Sequence, residues 1–476
     1  MNSDRCDVLV VGSGPGGSIT AALLAEHGRD VMLLEEGQHW PLESCKPFSI
    51  AELEQKYRCG GLNPALGESA VALVEARCVG GGSEINSGLY HRTPDEILDH
   101  WRREFDLRDA SPSDLEPHFA ACEESLSVGL TPGPTPLASR KLEIGARHLN
   151  WRAVEVPRWF QFNGAAGPDG CPTGTRQSMT KTFVPRALAA GCRLVTGTRV
   201  EWVQRASGGW RAYVRDSAGT RTIQANAVFL CAGAIQTPAI LRRSGFTERI
   251  GDSLAMHPTV KVLARFDEEV NHAHLGVPVH QVKEFSPRIS LGCSISSPPY
   301  LALAMADHPD HQGEIRLRWR QMAIYYAMIA GPAIGRVRPI AGMDDPLIRY
   351  DLGQQQWHDL AVGLRRLCEL LLAAGARELY PSVAGVPRIC CKRDLIHIPA
   401  MLPPRRTSLM TIHLFSSCPM GENLRRCAAN SFGQVLGAPN LFVNDASLIP
   451  TAPGVNPQGT VMAFARRNAL HFLRND

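Results

Sequence analysis

A glycine-rich turn near the N-terminus lies between an apolar strand pattern and a helical pattern, and a second apolar run behind it ends in an acidic residue. The turn reads GSGPGG and places Gly12, Gly14 and Gly17 at fixed positions. Gly12 suits a tight turn, Gly14 has no Cβ to block a pyrophosphate, and Gly17 lets the helix pack closely on the strand. The helix start presents free N–H groups and a positive dipole end to phosphate oxygens. The segment therefore predicts a βαβ unit that binds the ADP half of a dinucleotide.

An acidic residue completes this unit. Glu35 lies eighteen residues beyond Gly17, close to the interval of ~20 residues at which a carboxylate accepts hydrogen bonds from the adenosine ribose. A carboxylate here disfavours a 2′-phosphate. The turn and Glu35 together do not distinguish FAD from NAD, so both cofactors stay open at this point.

Length and charge restrict the partners. The 476-residue chain is long enough for two or three domains, and 44% hydrophobic with 20% charged residues is an ordinary globular composition. The formal net charge is only +4, which argues against nucleic acid or an anionic membrane. The longest apolar stretch is interrupted by Pro332 and falls short of the ~18 residues of a membrane span. A small molecule is the expected partner.

The N-terminus and the cysteines bear on the compartment. The first residues lack the basic region and the cleavage site of a secretion signal. The fourteen cysteines show no metal-ligand spacing. Most of them are expected to be buried thiols in a reducing compartment. The adjacent Cys390 and Cys391 are either a redox-active pair or, as is favoured, two buried or half-buried structural cysteines. These observations favour a cytoplasmic protein without a resident metal ion.

A second glycine cluster follows in the segment VGGGSEINSGLY. Gly81 and Gly82, followed by Ser83, allow backbone to lie against a flat or charged ligand. Further along the chain, an apolar strand runs into Gly233 and a helix. The chain is therefore expected to return there to a sheet of the nucleotide-binding type.

Three longer patterns indicate secondary structure outside that sheet. A helical pattern covers residues 94–126, and a Pro/Gly-rich link follows it. Residues 259–340 alternate apolar and polar positions, as in an antiparallel sheet. A helix over residues 357–375 is expected to cover that sheet, with Gly375 as its stop.

The last segment has the pattern of a strand, an irregular loop and a closing helix. Asn456 stands at the expected N-cap of that helix and Pro457 at its first position. A helix N-terminus is thus expected directly after a loop that carries Asp445.

Eight blocks of the chain together resemble the glucose–methanol–choline (GMC) family of FAD-dependent oxidoreductases. The blocks are VGSGPGG with LLEEG, ARCVGGGSEINSGLY, LVTGTRV, FLCAGAIQTPAILRRSG, GDSLAMHP, GRVRPIAGMDDPLIRY, HLFSSCPMG and NLFVNDASLIPTAPGVNPQGTVMAFARR. They span nearly the whole chain and follow the order of the family.

The resemblance implies FAD in an extended conformation. The predicted cofactor-binding residues are Gly12, Gly14, Gly17 and Glu35 at the ADP half, Val200 against the adenine, Gly81, Gly82, Ser83 and Asn86 on the flavin side, Asp445 and Ala446 near the ribityl-pyrophosphate region, and Gly233, Asn456, Pro457 and Gln458. Members that attach the flavin covalently have a histidine where this chain has Ile85. The resemblance therefore implies non-covalent FAD.

The resemblance also implies that His413 is the catalytic histidine and Asn456 its partner. Loss of a hydroxyl proton near neutral pH suits an imidazole, whose unperturbed pKa is ~6.5, and Asn456 can hold the developing alkoxide. The helix that starts at Pro457 would place N–H groups at the pyrimidine end of the flavin. Some members have histidine or asparagine where this chain has Gln458, so the pocket can differ there. His257 is expected to be structural.

The expected fold class is α/β, with a Rossmann-like FAD-binding domain and a discontinuous α+β substrate domain built on an antiparallel sheet. The FAD-binding domain is predicted to comprise residues 1–98, 186–258 and 411–476, and the substrate-binding domain residues 99–185 and 259–410.

The expected function is FAD-dependent oxidation of an alcohol to an aldehyde or ketone by hydride transfer, with His413 as base and dioxygen or another acceptor reoxidising the flavin. Two alternatives stay open. One is a lyase that uses the bound flavin as a photocatalyst for carboxylate loss, and the other is a flavin-binding partner protein without catalysis. An NAD-dependent dehydrogenase is disfavoured, because the C-terminal flavin-contacting segment would then have no purpose. The alcohol and the oligomeric state do not follow from the sequence.

Overall fold

The computed structural model describes residues 5–61, 63–167, 170–273 and 277–475. The α-helices are α1 (Pro15–Glu26), α2 (Ile50–Lys56), α3 (Asp95–Phe105), α4 (Pro112–Ser125), α5 (Leu137–Leu149), α6 (Phe183–Ala189), α7 (Gly233–Arg243), α8 (Pro298–Ala304), α9 (Gly313–Arg318), α10 (Gln354–Ala373) and α11 (Gln458–Asn475). The strands are β1 (Arg5–Val11), β2 (Val31–Leu34), β3 (Asn63–Ala65), β4 (Val71–Leu73), β5 (Val128–Gly129), β6 (Ala153–Glu155), β7 (Arg158–Ala166), β8 (Pro172–Arg176), β9 (Arg193–Val195), β10 (Arg199–Ala206), β11 (Gly209–Asp216), β12 (Gly219–Leu230), β13 (Ala255–Met256), β14 (Thr259–Arg265), β15 (His280–Val282), β16 (Ile289–Cys293), β17 (Met322–Ile329), β18 (Arg336–Arg338), β19 (Leu347–Arg349), β20 (Glu378–Pro381), β21 (Leu409–Thr411), β22 (Leu414–Phe415) and β23 (Leu441–Val443).

A seven-stranded sheet contains the N-terminal βαβ unit. Its order is β10-β11-β12-β1-β2-β9, and β23 also pairs with β12. Strand β1 runs parallel to β2 and β12, and β12 runs parallel to β23, whereas β10, β11 and β12 form an antiparallel meander. Because β1 and β2 are buried on both faces, they read as continuous apolar runs. Helix α1 packs between this sheet and helices α6 and α11.

A nine-stranded sheet forms the second layer system. Its order is β3-β4-β21-β14-β17-β16-β15-β6, and β20 also pairs with β14. Apart from the parallel pair β4 and β21, its pairs are antiparallel. Helix α10 packs on β14, β16 and β17, and Gly375 follows it with a φ of 90°. The predicted antiparallel sheet and its covering helix are thus confirmed, as is the α/β fold class.

The helical pattern predicted over residues 94–126 corresponds to two separate helices, α3 and α4. Asp106 takes a left-handed conformation with φ 51° and ends α3. Ser111 and Asp114 then form a reciprocal capping box at the start of α4. The periodic spacing of apolar residues continues across this break, but the N-cap at Ser111 starts a new helix within it.

The cysteine expectation is partly wrong. Most cysteines are buried, but Cys390 and Cys391 are exposed. Their backbone N–H groups donate to Asp394 Oδ2 at 2.8 and 3.0 Å, so the pair lies in a surface turn that begins a short helix.

The predicted domain boundaries stay a prediction. Strands β3 and β4 fall within the segment 1–98, yet they pair with the nine-stranded sheet. The chain therefore passes between the two sheets more often than the predicted domain segments imply. Within the described ranges, no helix is both long and apolar enough to cross a membrane.

Candidate active site

A cavity of about 290 Å³ lies between the glycine-rich turn of the seven-stranded sheet and the loops that join the two sheets. The predicted site residues that line it are Gly12, Gly14, Glu35, Gly81, Gly82, Asn86, Val200, Gly233, His413, Asp445, Ala446, Asn456, Pro457 and Gln458. Gly17 and Ser83 lie behind the lining. The tertiary structure thus gathers segments from the whole length of the chain around one space.

The glycines form a cradle that side chains would fill. Gly12 has a φ of 96°, and a Cβ there would overlap the carbonyl oxygen of Cys231. A Cβ at Gly17 would overlap the carbonyl oxygen of Gly12, so this glycine serves helix packing. Gly81 has a φ of 54°, and its Cβ would lie 2.7 Å from Gly14 Cα. The two glycine clusters therefore touch across the cavity.

Helix α1 begins at this cradle without a side-chain cap, since Gly14 holds the N-cap position. Its first N–H groups lack an intrahelical partner. Together with the helix dipole they offer a site for an anion. The glycine cradle and the uncapped helix fit the pyrophosphate of a dinucleotide.

Glu35 lies at the end of β2 and is buried beside the turn. Its Oε2 accepts hydrogen bonds from Ser13 N at 3.0 Å and Ser13 Oγ at 2.6 Å, and its Oε1 accepts one from Gly37 N at 2.8 Å. Burial raises the pKa of Glu35, against the effect of Ser13 and Gly37. The prediction missed Ser13, although its place between the first two glycines was a usable signal.

Paired charges surround the same end of the cavity. Glu36 accepts hydrogen bonds from Arg58 at 2.6 Å and from Arg199 at 2.9 Å. Burial raises the pKa of Glu36, but Arg58 and Arg199 outweigh it and lower the pKa to about 2. Both arginines are therefore committed to a carboxylate of this chain.

Asp445 lines the cavity and is fixed by several hydrogen bonds. Its carboxylate accepts hydrogen bonds from Gly233 N at 2.8 Å, Thr237 Oγ1 at 2.5 Å and Ser447 N at 2.8 Å. Burial raises the pKa of Asp445, against the effect of these donors. Asp445 thus ties the loop before α11 to the start of α7.

Asn86 and Gln458 meet across the cavity, as Asn86 Nδ2 donates to Gln458 Oε1 at 2.7 Å. Ser83 supports the second glycine cluster from behind: its Oγ donates to the Gly80 carbonyl at 2.7 Å and accepts from Met179 N at 3.0 Å. The first residues of α11 and the second glycine cluster are therefore held together.

Helix α11 begins at Gln458, and Asn456 does not cap it. The predicted N-cap is thus wrong. The Asn456 side chain turns instead toward the sheet and the histidine: its Oδ1 accepts from Gln281 Nε2 at 3.0 Å, and its Nδ2 lies 3.4 Å from His413 Nε2. Gln281 was not predicted, because it lies 175 residues from Asn456 in a strand without a motif.

His413 lies half-buried at the cavity wall, directly before β22. Its Nδ1 is 2.9 Å from Nδ1 of His257, whose Nε2 accepts a hydrogen bond from Gly454 N at 3.1 Å. Burial and, to a smaller extent, the charge of Lys283 together lower the pKa of His413 to about 4. His413 is therefore a neutral imidazole across the physiological pH range.

Two contacts act in opposite directions on the tautomer of His413. The Gly454 N–H fixes the proton of a neutral His257 on Nδ1, which donates to His413 Nδ1 and leaves the His413 proton on Nε2. The Asn456 amide nitrogen instead favours a bare Nε2. Each tautomer therefore costs one hydrogen bond, and the energies are comparable at about 1 kcal/mol. His413 can donate or accept at the nitrogen that faces the cavity.

Comparison with known protein families finds two matching regions of the chain. Residues 16–259 match the N-terminal part and residues 341–465 the C-terminal part of the GMC oxidoreductase model. The chain belongs to the GMC oxidoreductase family. Members of this family bind FAD, which fits the cradle described above. The uncharacterised GMC-type oxidoreductase y4nJ of Sinorhizobium fredii is 39% identical over 481 residues, covering 98% of this chain and 95% of that protein.

More distant GMC relatives have named activities. The long-chain-alcohol oxidase FAO3 of Arabidopsis thaliana is 25% identical over 505 residues, covering 97% of this chain and 67% of that protein. The crystal structure of pyridoxine 4-oxidase from Mesorbium loti has a TM-score of 0.75 at 19% identity, covering 99% of this chain and 100% of that one. An FAD-dependent oxidoreductase from Chaetomium thermophilum has a TM-score of 0.73 at 15% identity, covering 98% and 99%. These structures share the fold of this GMC oxidoreductase.

Proposed function

We propose that this GMC oxidoreductase oxidises an alcohol to an aldehyde or ketone, with non-covalent FAD as hydride acceptor and His413 as the base. One observation carries the proposal: the Nε2 atom of His413 and the amide of Asn456 lie 3.4 Å apart at the wall of the cavity that contains the glycine cradle. The alcohol oxidase and pyridoxine oxidase among the compared proteins support an alcohol as the substrate class.

The residues around the cavity divide into two groups under this proposal. Those that would hold FAD are Gly12, Gly14, Gly17, Glu35, Gly81, Gly82, Ser83, Asn86, Val200, Gly233, Asp445, Ala446, Asn456, Pro457 and Gln458. Those that would handle the alcohol are His413 and Asn456. When bound, FAD supplies an acceptor for the hydride of the alcohol carbon. Ile85, which is buried at the lining, cannot form a covalent bond to it.

The chain's own contribution is to move one proton and to hold one oxygen. The O–H bond of the alcohol breaks, its proton passes to the bare Nε2 of His413, and the electron pair stays on the oxygen. The low proton affinity of His413 keeps this nitrogen unprotonated at neutral pH. Asn456, held by Gln281, donates a hydrogen bond to the developing alkoxide and fixes its orientation.

The proposal places the protein in the cytoplasm, with dioxygen or another electron acceptor as the second substrate. The purified protein, mixed anaerobically with a panel of primary, secondary and aromatic alcohols, should lose its yellow flavin absorbance with at least one of them. Admission of air would then separate an oxidase from a dehydrogenase. Absence of bleaching by every alcohol, combined with light-dependent decarboxylation of a fatty acid, would contradict the proposal and favour the lyase alternative.

A further inference from the structure

Lys283 is a buried cation beside the catalytic centre. It directly follows strand β15 and is 7% exposed. Its Nζ donates a hydrogen bond to Ser290 Oγ at 2.9 Å. Burial and, to a smaller extent, the Arg152 guanidinium together lower the pKa of Lys283 to about 7, and no carboxylate among the described residues opposes this shift. Within the part of the chain that the structure describes, the cation therefore has no acidic partner of the kind that a buried lysine ordinarily has.

The strand geometry directs Lys283 toward the catalytic side of the nine-stranded sheet. Lys283 continues the extended pairing of β15, because its N–H donates to the Arg152 carbonyl at 2.9 Å. Residues two apart in such a segment point to the same face, and Gln281 contacts Asn456 at 3.0 Å. Val282, between them, lies on the opposite face in the core cluster that contains the apolar residues of α10. Lys283 thus shares a face with the side chain that holds Asn456 beside His413.

The turn after Lys283 approaches the histidine pair from a second direction. A Cβ at Gly454 would lie 2.6 Å from the carbonyl oxygen of Pro287, and Gly454 N donates to His257. The segment from Gln281 to Pro287 therefore contacts, at each end, a residue that touches one of the two histidines: Asn456 at Gln281 and Gly454 at Pro287.

Few charged groups of the described residues face Lys283. Arg152 lies on the flanking segment, and its guanidinium donates to the Lys283 carbonyl at 3.1 Å. The Glu284 carboxylate accepts from Arg152 N at 2.9 Å on the exposed side. The remaining groups are His91, His257 and His413, and Lys283 lowers the pKa of all three. The field of one ammonium group thus reaches every described histidine around the site.

We propose that Lys283 is a positioning residue of the catalytic centre, whose ammonium group keeps His413 unprotonated and favours the negative charge that develops on the alcohol oxygen. This inference rests on the proposed alcohol oxidation. Lys283 takes no proton from the substrate. Its charge disfavours a second positive charge on the histidine pair before the reaction and stabilises the alkoxide during it.

The chain offers a matched control in Lys261. This lysine lies on strand β14 opposite Tyr326 of β17, and Tyr326 contacts Gln281 at 3.2 Å, so Lys261 belongs to the same sheet face. Burial lowers the pKa of Lys261 to about 8, but Lys261 is not among the charges that lower the pKa of His413. Lys261→Met removes a similar cation without touching the histidines.

The test compares the holoenzyme with its Lys283→Met, Lys283→Arg and Lys261→Met variants by anaerobic stopped-flow flavin reduction between pH 4 and 9. In Lys283→Met, we expect the acid limb of the rate to move up by about one pH unit, and the maximal rate to fall about tenfold with little change in KM. The wild-type rate should also decline as pH rises through about 7, where Lys283 loses its charge. Lys283→Arg should keep the acid limb and lose this alkaline decline, because arginine stays protonated. Lys261→Met should match the wild type.

A second readout does not depend on turnover. Histidine-selective ¹⁵N NMR of the same proteins, with His413→Gln for assignment, gives the titration of His413 directly. A higher pKa of His413 in Lys283→Met alone supports the inference even if no alcohol reduces the flavin, in which case only the proposed function fails. An unchanged titration in Lys283→Met, an equal shift in Lys261→Met, or a shift in Lys283→Arg as large as in Lys283→Met would overturn it.

Discussion

The Nδ1 atoms of His413 and His257 lie 2.9 Å apart, although the two residues are separated by 156 positions in the sequence. Two imidazoles at this distance share one proton, so protonation of His413 would bring two N–H groups against each other. His257 was predicted to be structural, and it is fully buried as expected. His257 also contacts the proposed base His413. The sequence block that contains His257 does not indicate this contact.

The proposed base gives the first prediction. His413→Ala should slow anaerobic flavin reduction by the best alcohol by about 10²- to 10⁴-fold, the range of a general base. Flavin content should stay near that of the wild type, because His413 contributes one of many residues to the cavity. A reduction rate within a factor of three of the wild type, measured by stopped-flow absorbance, would remove His413 from the mechanism.

The pH dependence of reduction follows from the environment of His413. A base works in its unprotonated form, and burial lowers the pKa of His413 to about 4. On the acid side the rate of flavin reduction should therefore stay level between pH 6 and pH 5 and fall only as the pH approaches 4. A midpoint near the ordinary histidine value of ~6.5 would contradict this environment. Rapid pH-jump mixing limits acid unfolding during the measurement.

The glycine cradle predicts a contrast between two glycines with positive φ. Gly12→Ala should prevent stable FAD binding and destabilise the fold by more than about 2 kcal/mol, because the Cβ meets the Cys231 carbonyl oxygen at a strained φ. Gly28→Ala should cost only about 1–2 kcal/mol, since a Cβ there meets open space. Flavin absorbance and urea unfolding of both variants measure the difference. Equal FAD content in the two would show that close contact at Gly12 is not needed.

The attachment of the flavin can be tested without any substrate. Ile85 offers no nucleophilic atom, so acid precipitation should release all FAD into the supernatant. Flavin fluorescence in the washed protein pellet would contradict non-covalent binding.

Gln281 gives a prediction about a residue that the sequence did not single out. Gln281→Leu should lower the reduction rate by about tenfold, because Asn456 loses the donor that orients it. Gln321→Leu serves as the control, since the Gln321 side chain donates to the Asp267 carbonyl at an exposed position. If Gln281→Leu reduces as fast as Gln321→Leu, the orientation of Asn456 does not depend on this contact.

Sequence patterns predicted the parts of this molecule that depend on neighbours along the chain. The glycine spacing, the apolar β1 and β2 runs and the amphipathic α10 reflect local geometry, and the structure has them as predicted. The cap of α11 was wrong because Asn456 has a competing use: its amide finds polar partners on another sheet, which a local capping rule cannot include. The break between α3 and α4 was missed because apolar periodicity continued across it.

The sequence by itself determined the family, the α/β fold and the set of segments from which the cavity is built, since each of these depends on short motifs and on their order. The tertiary structure alone decided which side chains meet: His257 with His413, Gln281 with Asn456, and Lys283 with Ser290 behind them. The physical reason is that hydrogen bonds and buried charges act over a few ångströms in space, and these pairs are brought together by a sheet whose register is fixed by packing across the whole chain.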